Sequence, residues 1–134
     1  MLMTLSIPLP VGDVFDRLSI LNLKYKKLKN ILNSIQKEGL ISETLLINKT
    51  IENHGLEWVK ENNHFLRLIK VNEVLWDVTE YRRKNNKDSS YTGKDIYYSK
   101  LEIELNDERF SCKQSINYIS NSNLKEIKSF KLIK

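Results

Sequence analysis

Apolar residues recur at alternating spacings of four and three from Val14 through Leu18, Leu21, Tyr25, Leu28, Leu32 and Ile35. That repeat is one face of a helix, so it predicts a long amphipathic helix over about 11–37, ending near Gly39. Pro10 suits its first position, where a missing N–H is no loss, and Asp13 puts a negative charge in the first turn. Residues 4–10 read as extended, because Pro8 and Pro10 push their predecessors out of the helical region. A shorter helix is expected over about 42–53, with Ser42 as N-cap and Leu45, Leu46 and Ile51 on its apolar side. Gly55 separates it from a long helix over about 56–84 that carries Leu68, Val71, Leu75 and Val78. Asn85 to Ser90 reads as a loop, and Thr92-Gly93-Lys94-Asp95 has the spacing of a capping box. It opens a fourth helix over about 93–120 through Leu101, Leu105, Cys112, Ile116 and Ile119. A basic tail, 121–134, is expected to pack across the bundle or pair with the extended N-terminus. The fold class is all-α. One domain, 1–134, forms an antiparallel helical bundle of three long helices plus one short helix, with an extended N-terminus and a C-terminal tail.

Polar residues fall where this packing pattern asks for apolar ones. At about 100° per residue, Asn72 and Thr79 lie within about 40° of the Leu68/Leu75 seam, with Trp76 beside it. Arg109 sits in the stripe of Leu105, Cys112 and Ile116, and Asn106, Lys113 and Asn117 form the adjoining row. On the first helix Arg17 and Lys24 lie beside Leu21 and Leu28, about 10 Å apart along the axis. An unpaired neutral polar group in an interior costs about 2–7 kcal/mol and a charge costs more, so these groups need partners. In one reading Asp16, Glu80 and Asp107 turn inwards and neutralise the cations, leaving a network that only fixes helix register. In the other, cations outnumber reachable carboxylates. Arg17, Lys24, Asn72, Trp76, Asn106, Arg109 and Lys113 then form a site for a small phosphate- or carboxylate-bearing ligand, with Arg109 as bidentate contact and Trp76 as stacking wall. A third reading is a helical adaptor that docks a partner protein or a second copy through outer apolar residues such as Ile103 and Phe110.

Composition adds exclusions more than chemistry. With 40% hydrophobic and 29% charged residues the chain is globular rather than disordered. It has no Ala, four Gly and two Pro, and is crowded with Lys, Asn and Ile, a bias of the kind that A/T-rich coding sequence produces. The net charge of +5 is carried by scattered lysines, 17 of the 22 basic residues, which speaks against a nucleic-acid face. The single Cys112 cannot form an intramolecular disulfide, and the N-terminus lacks the basic and apolar regions of a secretory signal. With no stretch approaching the roughly 20 apolar residues of a membrane span, a cytoplasmic location is expected.

Other chemistry is sparse. Asp77-x-x-Glu80 and Glu104-x-x-Asp107 look like the paired carboxylates that hold Mg²⁺ in all-α nucleotide pyrophosphohydrolases, yet they lie away from the apolar seams, as a solvated face would. His54 and His64 lack metal-ligand spacing with Cys112, so no metal site is expected. No nucleophile–base arrangement, Gly-rich phosphate loop or cofactor motif is visible.

One likeness runs in order over nearly the whole chain. Ile7-Pro8, Gly12-Asp13, Asp16-Arg17-Leu18-Ser19-Ile20-Leu21 with Lys24, Val71-Asn72-Glu73-Val74-Leu75-Trp76-Asp77, Asn106-Asp107-Glu108-Arg109 with Lys113 and Ile116-Asn117, and Glu126-Ile127-Lys128-Ser129-Phe130 carry it. Together they resemble a group of small, mostly bacterial proteins catalogued as domain-of-unknown-function family 6165. The chain departs from that pattern at Pro10, Arg17, Thr79 and Asn22, where the family usually has Ser, Lys, Glu and an acidic residue. The resemblance supplies no activity. It implies that the polar positions found on the helical wheels are also the family's signature positions.

Overall fold

The computed structural model describes residues 3–85 and 93–123, and among them the chain is an antiparallel helical bundle. Four long helices, α1 (Val11–Leu28), α2 (Ser34–Asn53), α3 (Asn63–Asn85) and α4 (Gly93–Ile119), are joined by short connections that include a 3₁₀ turn at Glu57–Glu61. Residues 3–10 precede α1 without helix or strand. The capping position Thr92, the loop after Asn85 and the tail beyond Asn123 lie outside the described residues.

The expected short second helix is a correction. The first helix ends at Leu28 rather than near 37, and α2 begins at Ser34 rather than at 42, so that it is 20 residues long. The cause is local. Asn33 Oδ1 accepts from the Gln36 N–H at 2.8 Å while Gln36 Oε1 accepts from the Asn33 N–H at 3.1 Å, a reciprocal cap that opens a new helix. Gly39, expected to end a helix, lies exposed inside α2. Pro10, expected at the first helical position, is the N-cap residue, and the helix proper begins at Val11.

Pair contacts fix the directions. Asp16 on α1 meets Arg109 on α4, and Asp13 meets Lys113, so these helices run antiparallel. Ser19 meets Asn72 and Lys27 meets Asp77, so α1 and α3 run parallel. α1, α3 and α4 all touch one another, whereas α2 rests mainly on α1. Two apolar clusters fill the three-helix core. Phe15, Leu18, Ile51, Val59, Phe65, Leu68, Cys112 and Ile116 form the larger, with the Phe15 and Phe65 rings edge to face at 5.2 Å. Val71, Leu75, Val78 and Leu105 form the smaller. Along α3 the sequence Leu68–Asn72–Leu75 places a polar residue between them, and along α4 Leu105–Arg109–Cys112 does the same.

α2 is unlike the others. It buries only Ile51, yet Ile35 is 81% exposed and Leu45 64%, with Ile41 and Leu46 also open to solvent. A helix that is apolar around much of its circumference has surface to spare beyond what one neighbour covers.

Candidate functional site

Asp16 is the centre of the interior polar layer. It is only 5% exposed, and both oxygens face the Arg109 guanidinium: Nε donates to Oδ1 at 2.9 Å and Nη2 to Oδ2 at 2.5 Å. Two parallel charged hydrogen bonds of this kind hold both position and angle. The buried Asn72 amide donates to Asp16 Oδ1 at 3.0 Å and to Ser19 Oγ at 3.1 Å, which ties α3 into the same carboxylate.

The layer continues as a ladder between α1 and α4. One turn towards the start of α1, the Lys113 ammonium lies 2.8 Å from Asp13 Oδ1 as an ion pair rather than an aligned hydrogen bond. One turn further along α4, Asn117 Oδ1 accepts from the Gly12 N–H at 2.6 Å, and beyond the helix end Ser122 Oγ accepts from the Val11 N–H at 3.1 Å. Residues 109, 113 and 117 are spaced by four on α4, and their partners 16, 13 and 12 descend α1 in the opposite sense, as two antiparallel helices require. The approach is close. A Cβ on Gly12 would stand 2.3 Å from the Lys113 carbonyl oxygen, so the backbones meet there only because residue 12 has no side chain.

The structure brings Asn72, Arg109 and Lys113 to this seam and leaves the other expected site residues elsewhere. Arg17 is exposed rather than interior and makes a fork with Glu43 on α2, Nε to Oε2 at 2.7 Å and Nη2 to Oε1 at 2.9 Å. The reason is rotation: α1 presents Asp16 to the core, and the next residue is turned about 100° away. Lys24 is half-buried with no carboxylate partner among the described residues. Trp76 is half-buried, and Asn106 Nδ2 donates to the Glu102 carbonyl of its own helix at 3.0 Å. Phe110, expected on the outer surface, is buried. Glu80 pairs on the surface with Arg83 at 3.7 Å, and Asp107 is exposed. Gly12 joins the ladder and Ser19 the Asn72 contact without having been singled out, and Asn117, placed in the polar row of the fourth helix, was not among the expected site residues. Their signal was present in the sequence only as a Gly in a first turn and a polar row beside an apolar one.

Chemically, this arrangement neutralises charge. Each interior carboxylate faces a cation, and neither Asp13 nor Asp16 is left as a base aimed into a cavity. Among the described residues no group of three or more His, Cys, Asp and Glu side chains is placed to hold a metal ion. Cys112 packs beside the seam in the larger cluster. Burial pushes its thiol up, an effect reinforced by Glu108 and opposed by the Arg67 guanidinium.

Two apolar grooves flank α2. One, of about 180 Å³ between α1 and α2, is lined by Asn22, Tyr25, Ile41, Thr44 and Leu45. The other, of about 400 Å³, lies between residues 7–9, the start of α1 and the far half of α2. The fold and these surfaces define an all-α four-helix bundle whose α1–α4 seam is pinned by two partly buried ion pairs. No family model, curated protein or solved structure matches the chain. No helix among the described residues is long and apolar enough to cross a membrane.

Proposed function

We propose that this chain is a helical protein-interaction module that docks an acidic amphipathic helix in the groove between α1 and α2. The alternative of an interior anion site rested on a surplus of cations beside the seams, and Arg17, Arg109 and Lys113 each face a carboxylate instead. The surplus lies outside. Lys26 is one turn from Asn22, Lys29 one turn from Tyr25, and Lys37 one turn from Ile41, so all three border the groove's lining. None of the three has an ion-pair partner among the described residues, and Glu38 is the one acid beside them. That basic rim around Tyr25, Ile41 and Leu45 is the observation that carries the proposal.

A partner helix would set apolar residues at i, i+3, i+4 and i+7 on the groove floor and acids against the lysines. The apolar contacts would supply affinity and the lysines orientation and encounter rate. The test uses two synthetic helical peptides with the same leucine stripe, one carrying Glu and one Lys on the polar face. Fluorescence anisotropy should show binding of the Glu peptide alone, weakening with added salt. Leu45→Glu should reduce that affinity about tenfold or more, as loss of a central apolar anchor does. Equal binding of both peptides, no binding of either, or an unchanged Leu45→Glu protein would overturn the reading.

A further inference from the structure

The second groove carries recognition chemistry of its own. We infer that it binds a small, uncharged, apolar molecule bearing one hydroxyl or N–H donor, with the body of the molecule on the groove floor and the donor at the edge formed by Thr50 and His54 of α2.

The floor belongs to the core and is in place before anything binds. Phe15 and Ile51 are 0% and 1% exposed, the Phe15 ring stands edge to face on Phe65, and Val14, Ile47 and Leu56 pack against the same cluster. Ile7, Pro8 and Leu9 complete the lining, on a segment stiffened by Pro8 and Pro10. A volume of about 400 Å³ lies within the range of small-molecule sites, and a mostly apolar lining with a few polar groups is their usual make-up.

The polar groups select what can enter. Thr50 and His54 are four residues apart and share one face of α2. The Thr50 hydroxyl donates to the Leu46 carbonyl at 2.9 Å, and His54 Nδ1 lies 2.8 Å from the Thr50 carbonyl oxygen, which can only accept. Nδ1 therefore carries the hydrogen in that contact, and Nε2 of the neutral ring is left as an acceptor. With the hydroxyl hydrogen also spent, both side chains offer lone pairs to the groove and neither offers a donor. Among the described residues the lining has no Lys, Arg, Asp or Glu, so a carboxylate or an ammonium would enter without a counter-ion. What the edge matches is a neutral donor on an apolar body, such as a phenol, an indole or an alcohol.

The test titrates the isotope-labelled full chain with indole, N-methylindole and indoleacetate, read from backbone amide signals. Indole should shift residues 7, 9 and 46–54 saturably and leave Tyr25, Ile41 and Leu45 unmoved. Indoleacetate, which adds a charge to the same rings, should bind more weakly. Thr50→Val with His54→Phe removes both acceptors at exposed positions and keeps their apolar bulk. In that variant the ratio of indole to N-methylindole affinity should fall about three- to tenfold, the worth of one net hydrogen bond, whatever the methyl group itself contributes. An unchanged ratio, tighter binding of indoleacetate than of indole, shifts centred on Tyr25, Ile41 and Leu45, or no saturable shift with indole would overturn the inference.

Discussion

Replacing Arg109 with Leu removes both donors of the fork and leaves the Asp16 carboxylate, whose side chain is 8% exposed, with Asn72 as its remaining donor. Breaking a buried pair from one side costs about 3–5 kcal/mol, because the charge left behind has no solvent to return to. Asp16→Leu takes the carboxylate away from the guanidinium instead, but the Arg109 side chain is 30% exposed and water reaches it. The loss there should be smaller, about 2–3 kcal/mol, most of it from the three hydrogen bonds removed. Asp16→Leu with Arg109→Leu strands neither charge and should lie within about 1–2 kcal/mol of the parent. Urea unfolding followed by far-UV circular dichroism gives all four corners of the cycle. For a domain of this size each kcal/mol also moves the melting temperature by about 3–5 °C. An Arg109→Leu protein more stable than Asp16→Leu, or a double variant whose loss equals the sum of the two singles, would refute the account of a desolvated, mutually dependent pair.

Gly12→Ala should destabilise by about 1–3 kcal/mol or more, because the new Cβ meets the Lys113 backbone at 2.3 Å and α1 must back away from α4. Gly39→Ala should do the reverse, adding about 0.5–1 kcal/mol, since its Cβ would meet nothing within 4 Å inside an exposed stretch of helix. Both are read from denaturant midpoints, and a shared sign would contradict the packing described. Asn33→Ala removes the reciprocal cap of α2 and should cost about 1 kcal/mol, seen as faster amide exchange at residues 34–37. Cys112 should react slowly with thiol reagents near neutral pH in the folded protein, because burial raises its pKa and keeps it protonated. Its rate should climb only above the usual thiol range, and urea should restore ordinary reactivity; a fast native reaction would show that the seam opens.

Much of the architecture was readable because periodicity reports which face of a helix is inside. It placed Asn72, Arg109 and Lys113 on interior seams, and the structure finds all three there. The break between α1 and α2 was hidden by the same signal, since Leu28, Leu32 and Ile35 continue the four–three spacing across a turn. The competing cue, Asn33 followed at three residues by Gln36, acts through side-chain bonds to backbone and leaves no apolar trace. Ile35, counted with the core, is one of the most exposed large residues. The identity of the partners was harder to read than the faces. Whether Asp16 or Arg17 points inward depends on how α1 is rotated against two other helices, which no property of α1 alone determines. The Gly12–Asn117 contact joins residues 105 positions apart, and its cause is the absence of a side chain.

Helix α1 begins without a side-chain cap of its own, and the first two of its amide groups are satisfied from the far end of α4, by Ser122 and Asn117. The opening N–H groups of a helix otherwise rely on water or a local polar neighbour. In a growing chain the first turn of α1 therefore waits for its acceptors until more than a hundred further residues have been made, and its start matures together with docking of the last helix. Fraying at Val11 and Gly12 ceases to be a local event: their amides exchange only when α4 lets go, which makes the beginning of the first helix a reporter on the closure of the whole bundle.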